Sequence, residues 1–104
     1  MTEWTRVAHA ADVADDSAVQ VKVGEIPVCL ARSGGQLFAV NDICTHAEVS
    51  LSEGDVESGR IECWLHGSQF DLATGAPTGL PATVAVATYA VKTEGDDVFV
   101  AVKE

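Results

Sequence analysis

The sequence predicts an all-β fold, a small antiparallel sandwich or barrel with two cysteine–histidine loops at one end. Three observations predict this class. Apolar and polar residues alternate with period two along most of the chain, short turns separate the alternating segments, and a single stretch has helical character. The length of 104 residues corresponds to one domain, residues 1–104.

The first half of the chain is predicted to form a meander of hairpins. In AVQVKV the side chains of Val19, Val21 and Val23 share one face, as in a half-buried strand. The predicted strands are residues 18–23, 26–31 and 36–40, with turns at Gly24-Glu25 and Ser33-Gly34-Gly35, and Asn41-Asp42 ends the third strand.

The second half is predicted to be a hairpin followed by further short strands. Two strong alternating segments, VAVATYAV and DVFVAV, close the chain. Only AHAADVADD, residues 8–16, has helical character, enough for a turn or two. The remaining elements are a hairpin over residues 54–63 with its turn near 57–59, a short strand and Gly-Pro turn in FDLATGAP, and a turn over 93–96.

The charge balance excludes some classes of partner. Acidic residues number 16 against 6 basic ones, for a formal net charge of −10, so nucleic acid and anionic membranes are excluded as partners. The charge either favours encounter with a basic protein surface or serves solubility alone. The start of the chain lacks the pattern of a signal peptide, and no apolar run is long enough to span a membrane, so we expect a cytoplasmic protein.

Two cysteines and two histidines form the most informative pattern. The chain has three cysteines, an odd number that favours metal or redox chemistry over a disulfide framework. Cys44 and His46 are one residue apart, and Cys63 and His66 are two residues apart. A zinc finger groups Cys with Cys and His with His, whereas here each loop has one of each. This arrangement suits two adjacent irons, one bound by both thiolates and the other by both imidazoles, with a single Cys₂His₂ zinc site as the alternative.

The same residues carry a resemblance to a known family. C-x-H, 16 further residues, C-x-x-H-G, the following S-x-F-D and the later Gly79-Leu80-Pro81 are similar to the Rieske [2Fe–2S] signature, and the likeness covers nearly the whole chain. Small bacterial Rieske-type ferredoxins resemble it most. The resemblance implies a one-electron carrier without substrate chemistry of its own, working between an NAD(P)H-dependent flavin reductase and a terminal non-haem iron dioxygenase, as a monomer.

The resemblance also implies roles for individual residues. It makes Cys44, His46, Cys63 and His66 the ligands of one [2Fe–2S] cluster, with His46 and His66 at the tip as the electron entry and exit. Gly67 would make a tight turn, Trp64 and Leu65 would shield the sulfides or form a docking patch, and Pro81 would lie in a covering loop. The residues expected around the cluster are Thr45, Trp64, Leu65, Gly67, Ser68, Phe70 and Pro81.

Departures from the high-potential respiratory relatives predict a low reduction potential. Those relatives have a cysteine where this chain has Val49 and Leu65, and a tyrosine hydroxyl near a ligand sulfur where this chain has Phe70. Fewer hydrogen bonds to sulfur give less stabilisation of the reduced state.

Other interpretations remain open at this point. The chain resembles the small subunit of NADH-dependent nitrite reductases, although retention of all four ligand types argues against this, and a role in iron–sulfur assembly or as a structural zinc module is also compatible. Cys29, in an apolar strand, is expected to be a small buried hydrophobe, and His9 to be structural. The acidic residues Asp42, Glu48, Glu53 and Asp55 are interpreted either as a field that steers a basic partner or as solvated loop charges.

Overall fold

The structure, a computed structural model, describes residues 4–44, 49–64, 67–78 and 84–101. Within these ranges the regular elements are strands and two short 3₁₀ turns, so the all-β class is confirmed. The strands are β1 (Thr5–His9), β2 (Ser17–Val23), β3 (Ile26–Ser33), β4 (Gln36–Asn41), β5 (Asp55–Glu57), β6 (Arg60–Glu62), β7 (Gln69–Asp71), β8 (Thr88–Glu94) and β9 (Asp97–Ala101), and the 3₁₀ turns are Ala10–Asp12 and Leu51–Glu53.

The strands form two antiparallel sheets. The larger has the order β1-β9-β8-β4-β3-β2, and its two outer strands, β1 and β2, contact each other, so that the sheet is nearly closed into a barrel. The smaller has the order β5-β6-β7. None of the described helical segments is long and apolar enough to cross a membrane.

The predicted turns account for the strand register. Ser33 pairs with Gln36 across Gly34 and Gly35, whose φ angles are +59° and +79°. Two successive positive φ angles define the type I′ turn, whose twist matches that of the strands it joins, and glycine adopts them without steric cost. The predicted meander from β2 to β4 is therefore confirmed.

The barrel carries the smaller sheet as an insert, which we define as residues 42–86. Ala39 pairs with Tyr89 and Val40 with Thr88, so β4 and β8 are neighbours in the sheet although the insert separates them in sequence. The Asn41 amide donates to the Ala87 carbonyl at 2.9 Å and closes the base of the insert. Both cysteine loops are therefore built on chain that leaves and re-enters the barrel at one place.

The buried residues form two groups. One fills the barrel and includes Val28, Leu30, Val98 and Val100. The other joins the barrel to the insert; its buried members are Cys29, Ala31, Val40, Cys44, Leu51, Val56, Ile61, Cys63, Phe70, Leu72 and Val86. We call the second group the junction core, and the thiols of both loops belong to it.

Three local features differ from the prediction. Strand β1 was not predicted, whereas the helical character expected within residues 8–16 is present as the single 3₁₀ turn Ala10–Asp12. Residues 84–87 were predicted as strand. Instead, the Val86 amide donates to the Gly75 carbonyl and the Ala87 carbonyl accepts from the Asn41 amide, so the two residues do not pair with a single neighbouring strand. The closing turn is Gly95-Asp96 alone, because β8 continues to Glu94.

Candidate metal centre

The thiols of Cys44 and Cys63 are buried at the ends of two strands. Cys44 follows β4 after two residues and is 2% exposed, and Cys63 follows β6 directly and is 0% exposed. Neither forms a disulfide, and both lie in the junction core. The fold therefore brings two reduced sulfurs from separate loops into one apolar region.

Each of the two loops is closed by a main-chain hydrogen bond of the same type. The Cys44 amide donates to the carbonyl of Val49 at 3.0 Å, and the Cys63 amide donates to the carbonyl of Ser68 at 2.6 Å. In each case the partner is five residues further on, so four residues of sequence lie between them. His46 and His66 are in these four-residue segments, but they lie outside the described residues, as do Thr45, Leu65 and Pro81.

The first loop is fixed at its base by Asp42. This side chain is 0% exposed and accepts hydrogen bonds from Gln20 Nε2 at 2.6 Å and from Ser52 N at 2.7 Å and Oγ at 3.2 Å. Neither interpretation of Asp42 from the sequence is correct, because a buried carboxylate is not a solvated loop charge and presents no surface to a partner. Nothing in the local sequence pairs Asp42 with Gln20, which is distant along the chain.

The other acidic residues near the loops are placed differently. Glu53 and Asp55 are exposed, so a steering field and simple solvation both remain compatible with their positions. Glu48 lies outside the described residues.

The second loop is fixed by its own main chain. It joins β6 to β7, where Glu62 pairs with Gln69. Gly67 has a φ angle of +77°, and its amide donates to the Cys63 carbonyl at 3.0 Å. The predicted tight turn at Gly67 is thus present, and its amide is used within the loop.

Gly54 lets the two loops approach each other. It follows the 3₁₀ turn Leu51–Glu53 that leaves the first loop, and a Cβ at this position would overlap the carbonyl of Glu62, the residue before Cys63. Close backbone approach of this kind requires glycine. The exit of one loop therefore lies directly against the entrance of the other.

Three further residues predicted around the cluster lie beside the thiols in sequence or in space. Phe70 is 0% exposed and belongs to the junction core with both cysteines. Ser68 is also fully buried. Trp64 is 51% exposed, so much of its ring is available to solvent or to a partner.

Cys29 and His9 lie on strands of the barrel and not in either cysteine loop. Cys29 is fully buried in β3, as expected of a small hydrophobe; burial, and secondarily the negative charge of Asp42, raise the pKa of its thiol. His9 is exposed on β1, where its ring nitrogens lie 2.9 and 3.4 Å from an Arg6 guanidinium nitrogen.

The residues present fit an iron–sulfur cluster. Thiolate is the ligand that iron–sulfur clusters require. The two thiols are buried and form no disulfide, their loops close in the same way, and each loop has a histidine in its four-residue segment of sequence. A low-dielectric site of this kind suits a redox centre whose potential depends on burial.

Comparison with known families agrees with this chemistry. The model of the Rieske [2Fe–2S] domain family matches residues 3–90, and the chain belongs to this family. Its cofactor is a Rieske-type [2Fe–2S] cluster, and the chain is a ferredoxin: an electron carrier that is one component of a larger oxidoreductase.

Individual relatives are ferredoxins of aromatic dioxygenases. The chain is 40% identical to the biphenyl 2,3-dioxygenase ferredoxin component of Rhodococcus jostii, covering 92% of this chain and 90% of the relative. The ferredoxin of carbazole 1,9a-dioxygenase from Nocardioides aromaticivorans superposes with a TM-score of 0.91 at 35% identity, covering 96% and 98% of the two chains. A chain from a complex of reduced oxygenase and oxidised ferredoxin in carbazole 1,9a-dioxygenase superposes at 0.88 with 37% identity, covering 94% and 92%.

The likeness to nitrite reductase is more distant. A Mycobacterium tuberculosis protein assigned as the small subunit of an NADH-dependent nitrite reductase superposes with a TM-score of 0.88, covering 100% and 98% of the two chains, but at 19% identity. Such a match shows the shared fold alone. The nitrite reductase interpretation is accordingly less supported than the dioxygenase ferredoxin.

Proposed function

We propose that this chain is the ferredoxin component of an aromatic-ring dioxygenase system. It accepts one electron at a time from an NAD(P)H-dependent flavin reductase and delivers it to a terminal non-haem iron oxygenase. The observation that carries the proposal is the pair of buried cysteines on identically closed loops, in a chain 40% identical to a biphenyl dioxygenase ferredoxin over 92% of its length. We further propose that it acts in the cytoplasm as a monomer.

The proposed ligands are Cys44 and Cys63 on one iron and His46 and His66 on the other. Burial of the two thiols in the junction core supports the first pair. Support for the second pair comes from sequence, since each of the two four-residue segments contains one histidine. When bound, the cluster supplies reversible one-electron oxidation and reduction; its formal charge is zero when oxidised, so two histidines raise its potential above that of an all-cysteine cluster.

The protein positions the ligand side chains and keeps the reduction potential of the cluster low. The main-chain closures at Cys44 and Cys63 fix where each thiol emerges, and the junction core excludes water from the sulfur side. Phe70 is buried there and has no hydroxyl to donate to sulfur. We propose on this basis that the potential is in the low, ferredoxin-like range.

The proposed docking surface surrounds the two loops. Ile43 and Trp64, which adjoin Cys44 and Cys63 in sequence, are exposed at 39% and 51%, and Val84, which follows the predicted covering loop, is exposed at 60%. With a net charge of −10 on the chain, a partner surface with an apolar centre and a basic rim would be complementary. His46 and His66, one in the sequence of each loop, are the proposed points of electron entry and exit.

The decisive experiment compares the wild type with His66→Cys. The anaerobically purified wild type should be red-brown, and after reduction by dithionite it should give an anisotropic EPR signal with an average g value below that of an all-cysteine cluster. His66→Cys should shift this spectrum and lower the reduction potential. Cys29→Ala is the matched control and should change neither.

Two results would contradict the proposal. A colourless, EPR-silent wild type that holds one zinc ion would indicate a structural zinc module, because Zn²⁺ has no redox chemistry. A coloured protein whose potential is unaffected by His66→Cys would remove His66 from the ligand set.

A further inference from the structure

Asp42 is a buried carboxylate with an unusually complete set of donors. Its contacts are Gln20 Nε2 at 2.6 Å, Ser52 N at 2.7 Å and Ser52 Oγ at 3.2 Å, and all three partners can donate. A carboxylate contacted only by hydrogen-bond donors acts solely as an acceptor, which is the role of an ionised carboxylate. The ion pairs found among the described residues involve Asp97 and Glu94, so hydrogen bonds rather than a neighbouring cation satisfy Asp42 within that part of the chain.

The main chain of Asp42 is also fixed. Its amide donates to the Pro27 carbonyl at 3.0 Å, and its carbonyl accepts from the Leu51 amide at 2.6 Å. Through side chain and main chain together, Asp42 is bonded to β2, to β3 and to the first two residues of the 3₁₀ turn that follows the first loop. Cys44 is only two residues away, so these bonds determine where the first loop begins.

The negative charge of Asp42 acts on the interior that contains the thiols. Cys29, Cys44 and Cys63 all belong to the junction core. The pKa of the Cys29 thiol is raised by burial and, as the second cause, by the charge of Asp42. A field that disfavours an additional negative charge on Cys29 disfavours it elsewhere in the same apolar region.

We infer that Asp42 positions the first cysteine loop and that its buried negative charge lowers the reduction potential of the protein. One-electron reduction adds one negative charge to the site, and a fixed anion in a low-dielectric interior opposes that addition. The inference rests on the proposed ligand set, because Cys44 connects Asp42 to the redox centre. Asp42 acts through the loop and through its field, without being a ligand.

The test compares four holoproteins at one pH by spectroelectrochemistry. Asp42→Asn keeps the size of the side chain and removes the charge. For a unit charge within roughly 10 Å of the cluster, at an effective dielectric constant of about 20, removal of the charge should raise the ratio of reduced to oxidised protein roughly tenfold at a fixed applied potential. For a one-electron couple, this corresponds to a reduction potential about 59 mV more positive.

Two control variants isolate the effect of the Asp42 charge. One removes a hydrogen bond to Asp42 without removing its charge, and the other removes a carboxylate elsewhere in the chain. Ser52→Ala removes the weaker side-chain bond and keeps the carboxylate, so it should speed iron release to a chelator and leave the potential unchanged. Asp71→Asn removes a half-buried carboxylate on β7, which accepts from the amides of Ala73 at 2.8 Å and Thr74 at 3.1 Å in its own turn. It should shift the potential by clearly less than Asp42→Asn does.

The inference is overturned if Asp42→Asn has the wild-type potential, or if Asp71→Asn shifts it equally. Should Asp42→Asn fail to accumulate with its cluster, Gln20→Lys tests the same charge by placing an ammonium group beside an unchanged Asp42; the potential should again rise, and an unchanged value would also overturn the inference. A wild type without the mixed Cys/His EPR signal would instead refute the ligand proposal, so the two failures are distinguishable.

Discussion

The two cysteine loops are closed by hydrogen bonds of the same type but are held in place by different parts of the molecule. In each, the cysteine amide bonds to the carbonyl five residues further on. The first loop is anchored by side chains, because Asp42 accepts from Gln20 on β2 and from Ser52 beyond the loop. The second is anchored by main chain, through the β6–β7 hairpin and the turn at Gly67.

This difference indicates where each loop is vulnerable. The first depends on a residue 22 positions earlier in the chain, so it forms only when the barrel is in place. The second is local and can form as part of its hairpin. Side-chain substitutions should therefore affect the first loop most, whereas changes of backbone conformation should affect the second.

The largest effect is expected where the loops meet, from Gly54→Ala. The new Cβ would overlap the Glu62 carbonyl, so the exit of the first loop must move away from Cys63. Overpacking of this kind costs about 1–3 kcal/mol in free energy of unfolding, and here it displaces one thiol relative to the other. We expect most of the iron to be lost on purification, as measured by iron content per chain and by visible absorbance.

Gly24→Ala is the matched control for Gly54→Ala. Gly24 has a φ angle of +63° with no atom within 4 Å of an added Cβ, and it lies in the turn between β2 and β3. The left-handed conformation costs a non-glycine residue about 1–2 kcal/mol, a comparable loss of stability. If Gly24→Ala loses iron to the same extent, the loss reflects general stability, and the close approach at Gly54 has no special role.

A smaller effect is expected from Gly67→Ala in the second loop. An added Cβ would lie 3.5 Å from Glu62 Oε2, an ordinary contact, so only the φ angle of +77° is strained. The cost is about 1–2 kcal/mol, and it should appear as faster iron release to a chelator with little change in reduction potential. Gly67→Asn should release iron more slowly than Gly67→Ala, because asparagine tolerates this conformation. Equal rates for the two variants would argue against backbone strain as the cause.

The smallest effect is expected outside both loops, from Asp97→Asn on the barrel. Arg6 Nε donates to Asp97 Oδ1 at 2.9 Å, and this hydrogen bond holds the pKa of the Asp97 carboxyl below its ordinary value. A lowered pKa in the folded state stabilises the fold above the unfolded value of about 3.9 and is lost as pH falls through the folded value. The Tm difference between wild type and variant should be small and constant from about pH 7 to pH 5, and it should shrink below about pH 4.

The Asp97 variant also provides a baseline for the comparison of the loops. Because the pair is exposed, added salt should reduce the Tm difference at neutral pH. Its iron content and reduction potential should equal those of the wild type. A shifted potential in Asp97→Asn would mean that charges on the barrel surface reach the cluster, and the effect assigned to Asp42 would then need the same explanation.

Features of the fold that depend on neighbouring residues were predicted from the sequence, whereas features that depend on residues far apart in the chain were not. Alternation and glycine turns predicted β2 to β4 and the β5–β6 hairpin, because these depend on neighbouring residues. Strand β1 was missed because its pairing with β9 joins the two ends of the chain and includes an irregular register between Arg6 and Ala8. Residues 84–87 have a strand pattern, but Val86 is hydrogen-bonded to Gly75 within the insert and Ala87 to Asn41 on β4, two partners that are far apart in sequence.

The candidate site was predictable to a similar degree. The spacing of cysteine and histidine predicted the ligand set and the family, and the family is confirmed; the ligand assignment stays a prediction. The role of Asp42 was missed, because an acidic residue at the end of a strand has the same local sequence whether it is solvated or buried. Its burial depends on Gln20 and Ser52, which only the folded chain brings to it.

The single point at which the insert leaves and re-enters the barrel has an evolutionary consequence. Neighbouring antiparallel strands lie about 5 Å apart, so the ends of the insert stay close together whatever its internal sequence. Mutations or length changes within it need not disturb the register of β4 with β8. The barrel can thus be inherited unchanged while the insert diversifies, which gives a lineage a route to new electron-transfer partners without the invention of a new fold.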